Sequence, residues 1–344
     1  MTSERRPPAP APAALVVALI LAVCALQGCG SDASGEQAPE PAVPTQATQA
    51  TQATPAAAAT AATAATAAPP APASTRLAPR ATTNRFDGGR AFALLREQVE
   101  DYGWRPAGST TLRRLAERLR SLMPRGRFED LAGHPGLRNV VGSVAGRMPA
   151  IVVGAHYDVE AAPTGFVGAN DGAAGTAAVV TLARTFARAP RPSNARALRF
   201  VLFDGEEEPA GCEPFPECGL RGSKAYAQRH DGETSAMVLL DYIAERRGLS
   251  FPREASSDVE LWSQLRSVAR AVGVGALFPN ATAGGVIDDH TPFIQRRVRA
   301  IDIIDFDYPQ ADTLADNLDA VSQRSLDAVG EAVHRLVGRL RADG

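Results

Sequence analysis

Three acidic patches and one histidine mark the middle of this chain. They read Gly154-Ala155-His156-Tyr157-Asp158, Gly168-Ala169-Asn170-Asp171-Gly172 and Phe203-Asp204-Gly205-Glu206-Glu207-Glu208. They sit where an apolar run ends or a helix begins, the places where a sheet protein presents ligands. One neutral imidazole with several carboxylates is a zinc-type donor set, and a spare glutamate beside a ligand is a ready general base. Taken singly, each has a plainer reading. Asp171 reads as a helix cap, Glu207 and Glu208 as solvated acids of a turn, and His156 as a structural strand-end histidine.

The pattern around them is that of an alternating α/β domain. Phe92, Leu95, Val99 and Tyr102 recur at helical spacing, as do Leu112, Leu115, Leu119 and Leu122, with the Pro106-Ala107-Gly108-Ser109 turn between. Further helical faces are carried by Val179, Leu182, Ala183 and Phe186, and by Leu261, Leu265, Val268 and Val272. A last helix starts near the capping Ser322 and shows Leu326, Val329, Val333, Leu336 and Leu340. Between these lie short Val-, Ile- and Leu-rich runs at 139–144, 150–154, 198–203, 237–240 and 300–304, which read as buried strands. Strands alternating with helices predict a three-layer α/β domain. His156, Asp204 to Glu208 and Asp241 each follow a predicted strand, so they should share one rim of one sheet.

The rest of the chain sets its context. Its 344 residues carry a net charge of −2, which gives nucleic acid no electrostatic reason to bind. Arg5 and Arg6 precede an apolar run from about Ala11 to Leu26 that ends Leu26-Gln27-Gly28-Cys29. This resembles a bacterial lipoprotein signal spanning residues 1–28, with Cys29 lipidated; an ordinary secretory signal and an uncleaved anchor are the alternatives, and all three export the protein. Residues 29–85 are rich in Ala, Thr, Pro and Gln, with a Thr-Gln-Ala repeat at 45–53. They lack the large apolar groups that would offset chain entropy, so a disordered tether is expected there and a folded domain over 86–344. Cys24 leaves with the signal. Cys212 and Cys218 flank a short proline-containing loop and are expected to form a disulfide, free thiols being the alternative.

Taken in order, these motifs resemble the zinc aminopeptidase and glutaminyl-peptide cyclotransferase superfamily (metallopeptidase family 28), as an exported bacterial member. The likeness runs from Phe86-Asp87-Gly88-Gly89-Arg90-Ala91 through the three patches and Gly219-Leu220-Arg221-Gly222-Ser223. It continues to Leu239-Leu240-Asp241-Tyr242-Ile243, Asp288-Asp289-His290-Thr291-Pro292-Phe293 and Phe306-Asp307-Tyr308-Pro309. It implies a three-layer sandwich whose central, mostly parallel mixed sheet is flanked by helices. It also implies one or two zinc ions held by Asp171 and Glu207, with His156 a ligand in the two-zinc branch. By the same resemblance Glu206 is the general acid/base, Asp241 and Asp288 are catalytic, and Asp158 orients the His156 ring. Glu208 is assigned to the surface. His290 is expected to hold its loop, and His134, His230 and His334 to be solvated.

One departure stands out. Where the family carries its last histidine ligand, this chain has Asp312, and the aromatic before it is Ala311. Asp171, Glu207 and Asp312 would be an all-oxygen set, which selects less for zinc. His156, Asp171 and Asp241 would be a mixed set better suited to it. Asp302 stands where animal cyclases carry a further histidine and is expected to join an acidic network. Asp204-Gly205-Glu206-Glu207, the Leu239-Leu240-Asp241 strand end and the doubled Asp288-Asp289 lean towards the cyclase branch. The expectation is therefore a zinc-dependent enzyme acting on peptide or protein N-termini, forming pyroglutamate from N-terminal Gln. An aminopeptidase and a non-catalytic envelope lipoprotein are the alternatives. The protein is expected to be a monomer held at a membrane through Cys29.

Overall fold

The computed structural model describes residues 75–342. The signal segment, Cys29 and most of the expected tether lie outside the described residues. Six strands form one sheet in the order β1-β2-β4-β3-β5-β6: Arg127–Asp130, Arg138–Val144, Arg196–Phe203, Arg147–His156, Thr234–Asp241 and Arg299–Ile304. β4, β3, β5 and β6 run parallel; β1 and β2 are antiparallel additions at one edge. The expected mixed, mostly parallel sheet is what forms.

The helices are α1 (Gly88–Glu97), α2 (Thr110–Leu122), α3 (Ala173–Arg188), the short α4 (Phe215–Cys218), α5 (Arg221–Arg229), α6 (Val259–Ala271), α7 (Thr291–Gln295) and α8 (Gln323–Ala342). The helical periodicity read over Val99 and Tyr102 is realised as a single π-helical turn, Gln98–Tyr102, after α1. Ser322 caps α8 as expected, its Oγ accepting the Ser325 N–H at 3.1 Å. Cys212 and Cys218 form the expected disulfide.

Period-two alternation sorts the strand residues into two cores. Ile151, Val153, Leu198, Phe200, Val238 and Leu240 face the larger one, beneath α1, α2, α3, α6 and α8. Val152, Val201, Phe203, Met237 and Leu239 face the smaller one, with Tyr226 of α5 and Phe293 of α7. Two close approaches bring the site elements together. A Cβ on Gly175 of α3 would lie 2.2 Å from the Leu240 carbonyl oxygen, so only glycine lets α3 start against the end of β5. A Cβ on Gly154 would lie 2.5 Å from the Phe203 ring. With β3, β4 and β5 parallel and in register, His156 pairs with Phe203, and Asp241 closes the neighbouring strand. The three strands thus deliver their acids to one rim.

Two expectations need correction. The tether was expected to run to residue 85, but Thr75 to Arg85 is ordered on the domain. Arg76 O accepts from Gly248 N at 3.0 Å, and Thr82 N donates to Val272 O at 2.9 Å. Thr83 Oγ1 and Phe86 N each reach the buried Glu331 carboxylate at 2.6 Å, which also takes the Arg85 N–H. Backbone hydrogen bonds to a buried acid order a segment that has few apolar anchors.

The second correction concerns histidines. His230 is not solvated: its Nε2 lies 2.9 Å from Glu129 Oε2 and its Nδ1 2.9 Å from Glu233 Oε2. His334 is half-buried and stacks on Phe186 at 4.8 Å. Only His134 is exposed as expected.

The Glu129 pair has a pH consequence. Burial alone would raise its carboxyl, but the His230 hydrogen bond and charge, with Arg127, bring it from an ordinary 4.5 down to about 2. A depressed folded-state value gives stabilisation that is complete above pH 4.5 and fades as pH falls towards about 2. The urea midpoint of the native chain is expected to drop across that window more steeply than that of a Glu129→Gln chain. Parallel pH profiles would contradict the pairing.

Candidate active site

The site is built from loops pinned to the sheet rim. His156, at the end of β3, is buried, and Thr176 Oγ1 donates to its carbonyl oxygen at 2.7 Å. Asp171 lies in the turn before α3. Asp316 holds that turn, accepting the N–H groups of Asn170 at 2.9 Å and Asp171 at 3.0 Å. Asn170 Oδ1 in turn accepts the Ala244 N–H at 2.7 Å, tying the turn to the chain after β5. Gly172 must be glycine: its φ is +80°, and a Cβ there would lie 2.7 Å from the Asp158 carbonyl oxygen.

These restraints put Asp171 Oδ1 at 3.1 Å and Asp241 Oδ1 at 3.4 Å from His156 Nε2. On the other side of the ring, Glu206 Oε2 lies 3.9 Å from Nδ1. His156, Asp171 and Glu207 are buried and each offers a donor atom within 4.8 Å of the others. Tyr242, at φ +48°, follows Asp241; its hydroxyl donates to Asp171 Oδ2 at 2.9 Å and Asp312 Oδ1 at 3.1 Å.

So many buried acids repel one another, and their proton affinities show it. Burial and Asp171 raise Glu207 well above the carboxylate range; burial and Asp288 do the same for Glu206, against the charge of His156. Burial pushes Asp241 up to about 7, against its His156 hydrogen bond. Burial would depress His156, but hydrogen bonds to Asp171 and Asp241 and the Glu206 charge raise it well above its usual value.

A second buried cation at this site is Arg105. Burial lowers its guanidinium to about 10, while Asp171, Asp158, Asp316 and Glu207 hold it charged. It donates to the carbonyls of Tyr157 (3.2 Å), Gly103 (3.1 Å), Val167 (2.5 Å) and Gly168 (3.2 Å), joining β3 to the Asp171 turn.

A divalent cation fits these residues. The donor set is one imidazole and two carboxylates, and His156 Nδ1 is buried with no hydrogen-bond partner. Ligands of this kind exchange their protons for the ion, so binding releases protons.

A family model for peptidase family M28 matches residues 139–337, which include His156, Asp171, Glu206, Glu207 and Asp241. The chain belongs to peptidase family M28. A glutaminyl-peptide cyclotransferase of Bothrops jararaca is 25% identical over 54% of this chain, and the match spans 61% of that relative's length. The crystal structure of an Acidobacteriales bacterium glutaminyl cyclase is 26% identical, covering 80% of this chain and 100% of that one, with a TM-score of 0.68. That of the Porphyromonas gingivalis glutaminyl cyclase is 26% identical, covering 75% and 100%, with a TM-score of 0.66.

Of the expected family M28 residues, His156, Asp171, Glu206, Glu207 and Asp241 converge. Asp158 does not orient the imidazole: its Oδ1 is 3.9 Å from Nδ1, beyond hydrogen-bond range. It accepts the N–H groups of Glu206 (3.2 Å) and Glu207 (3.3 Å) instead, and so shapes the acidic loop. Asp312 is exposed, at φ +56°, and is not part of the His156 donor cluster. It meets Asp171 only through the shared Tyr242 hydroxyl, because the loop carries its backbone to the surface. Asp288 and Asp302 are buried together with His290 in a neighbouring cluster. Glu208 is half-buried at the rim.

Arg105, Asp316 and Tyr242 went unread in the sequence. The signal for Arg105 was a lone arginine between Trp104 and the Pro106 turn, among acid patches that lacked a counter-charge. Replacing Arg105 by Met takes the donor from four carbonyls and the counter-charge from those acids, and is expected to cost about 3 kcal/mol or more, at about 1–3 kcal/mol for each buried group left unsatisfied. A urea midpoint unchanged from the native chain would rule out that role.

Proposed function

We propose that this chain is a glutaminyl-peptide cyclotransferase that converts an N-terminal glutamine to pyroglutamate and releases ammonia. The observation that carries this reading is the placement of two buried carboxyls at opposite nitrogens of one buried imidazole. Glu206 lies 3.9 Å from Nδ1 and Asp241 3.4 Å from Nε2, next to the donors of Asp171 and Glu207. The likeness to glutaminyl cyclases supports it.

Zinc held by His156, Asp171 and Glu207 would supply Lewis-acid polarisation of the substrate γ-carbonyl. The chain's own groups move the proton. Glu206 accepts the proton lost by the α-amine as its nitrogen attacks the γ-carbon and the ring C–N bond forms. It returns that proton to the amide nitrogen as the old C–N bond breaks, so the leaving group is neutral ammonia. Asp241, whose Oδ1 lies 3.4 Å from His156 Nε2, orients the departing nitrogen. Asp288 bears on both carboxyls through its charge. Ala311, in place of a bulkier side chain, leaves room for the residue that follows the glutamine.

A second reading, hydrolysis of N-terminal residues, is favoured by the closeness of His156 to Asp171 (3.1 Å) and Asp241 (3.4 Å). That trio offers a mixed nitrogen and oxygen set for a further ion. The proposal also includes export and lipid attachment at Cys29.

Zinc-loaded full chain is expected to release ammonia from a Gln-initiated peptide. Glu206→Gln should lower that rate by about 10²–10⁴-fold with unchanged metal content. Cleavage of leucine or arginine anilides without ammonia release would establish the second reading instead. In the same preparations activity should sediment with membranes, and should move to the supernatant in a Cys29→Ser chain.

A further inference from the structure

Asp288, His290 and Asp302 are 5%, 0% and 0% exposed, and each offers a donor atom within 4.8 Å of the others. They come from the loop before α7, the residue capping α7, and β6. Their backbones are fixed: Asp302 N donates to Ser257 Oγ at 2.9 Å and Asp288 N to Thr291 Oγ1 at 3.2 Å.

His290 is held from its far side. Its Nε2 lies 3.0 Å from Ser256 Oγ and 3.3 Å from Glu254 Oε2. Glu254 is itself positioned by the N–H groups of Ser256 (2.8 Å) and Val286 (3.3 Å). A carboxylate at Nε2 draws the imidazole proton to that nitrogen and leaves a lone pair on Nδ1. Nδ1 lies 3.7 Å from Asp302 Oδ2, too far for a hydrogen bond. Nδ1, both Asp302 carboxylate oxygens and Asp288 Oδ2 are buried and meet no N–H or hydroxyl donor. Electron-rich atoms facing one another in a closed space are costly unless a cation or a proton lies between them.

We infer that Asp288, His290 and Asp302 form a second cation site, separate from His156, Asp171 and Glu207, for a divalent transition-metal ion of the zinc or manganese class. One imidazole and two carboxylates suit such ions better than calcium. The Glu254–His290 arrangement is the carboxylate-backed histidine that metal sites use to fix the ring and raise its basicity. The competing account is a proton shared between Asp288 and Asp302, which relieves the same crowding without an ion. The inference shares Asp288 with the cyclase reading but is tested apart from it: a chain that binds this ion and releases no ammonia satisfies one and refutes the other.

The test is metal analysis of the full chain after equilibration with zinc or manganese, beside Asp302→Asn and Glu207→Gln chains, with zinc-edge anomalous scattering from crystals of the native chain. The Asp302→Asn chain is expected to hold one ion fewer than the native chain, and the Glu207→Gln chain to keep the ion at His290. An anomalous peak should lie at coordination distance from His290 Nδ1. This map also decides the matter if the Asp302→Asn chain fails to fold. A native map without that peak, or an unchanged metal count in a folded Asp302→Asn chain, would overturn the second site and leave the shared proton.

Discussion

The structure depends on keeping a crowd of buried carboxylates together. Two like charges 4 Å apart repel by roughly 4 kcal/mol at an effective dielectric near 20. Asp171, Glu206, Glu207 and Asp241 around one imidazole would therefore consume much of the roughly 5–15 kcal/mol that holds a domain folded. The chain answers in part with Arg105, sealed beneath the site with its guanidinium spread over four carbonyls. It answers in part with protons, which is why Glu206, Glu207 and Asp241 titrate so high. A divalent cation would answer the rest, and the same charge that makes the site costly suits it to hold one.

The apolar sheet supplies a rim, but polar groups set the geometry on it. Asp316 and Asp158 each use a carboxylate to collect two consecutive backbone N–H groups, one pair in the Asp171 turn and one in the Glu206 loop. Consecutive amides bound to one acid leave the loop little freedom, so the side chains beyond them are aimed. Gly172 and Gly175 complete the arrangement by letting the turn and α3 come within van der Waals limits of β3 and β5. Function here follows from buried acids that orient backbone, which in turn orients the acids that meet substrate.

Much of this was legible in the sequence, and the rest failed for identifiable reasons. The buried strands announced themselves as short apolar runs bounded by turns. β1 did not, because Arg127-Phe128-Glu129-Asp130 carries charges on an edge and buries little. α5 hid behind a short, polar, glycine-containing stretch, Arg221–Arg229. Acids at strand ends could be placed on one rim by topology alone. Arg105 and Asp316 could not, since a lone charged residue in a loop reads as solvated until its partners, tens of residues away, are known. Asp312 misled because a motif fixes position along the chain, whereas a ligand must also face inward; its backbone turns to the surface and Tyr242 takes its place against Asp171.

We propose that a bound dication keeps these acids together in the folded chain. Thermal unfolding of the full chain, first with a chelator and then with increasing free zinc, tests it most directly. The midpoint should climb with the logarithm of zinc concentration, with protons released on binding, and climb much less in the Glu207→Gln chain. Superimposable melting curves in chelator and in zinc would contradict it.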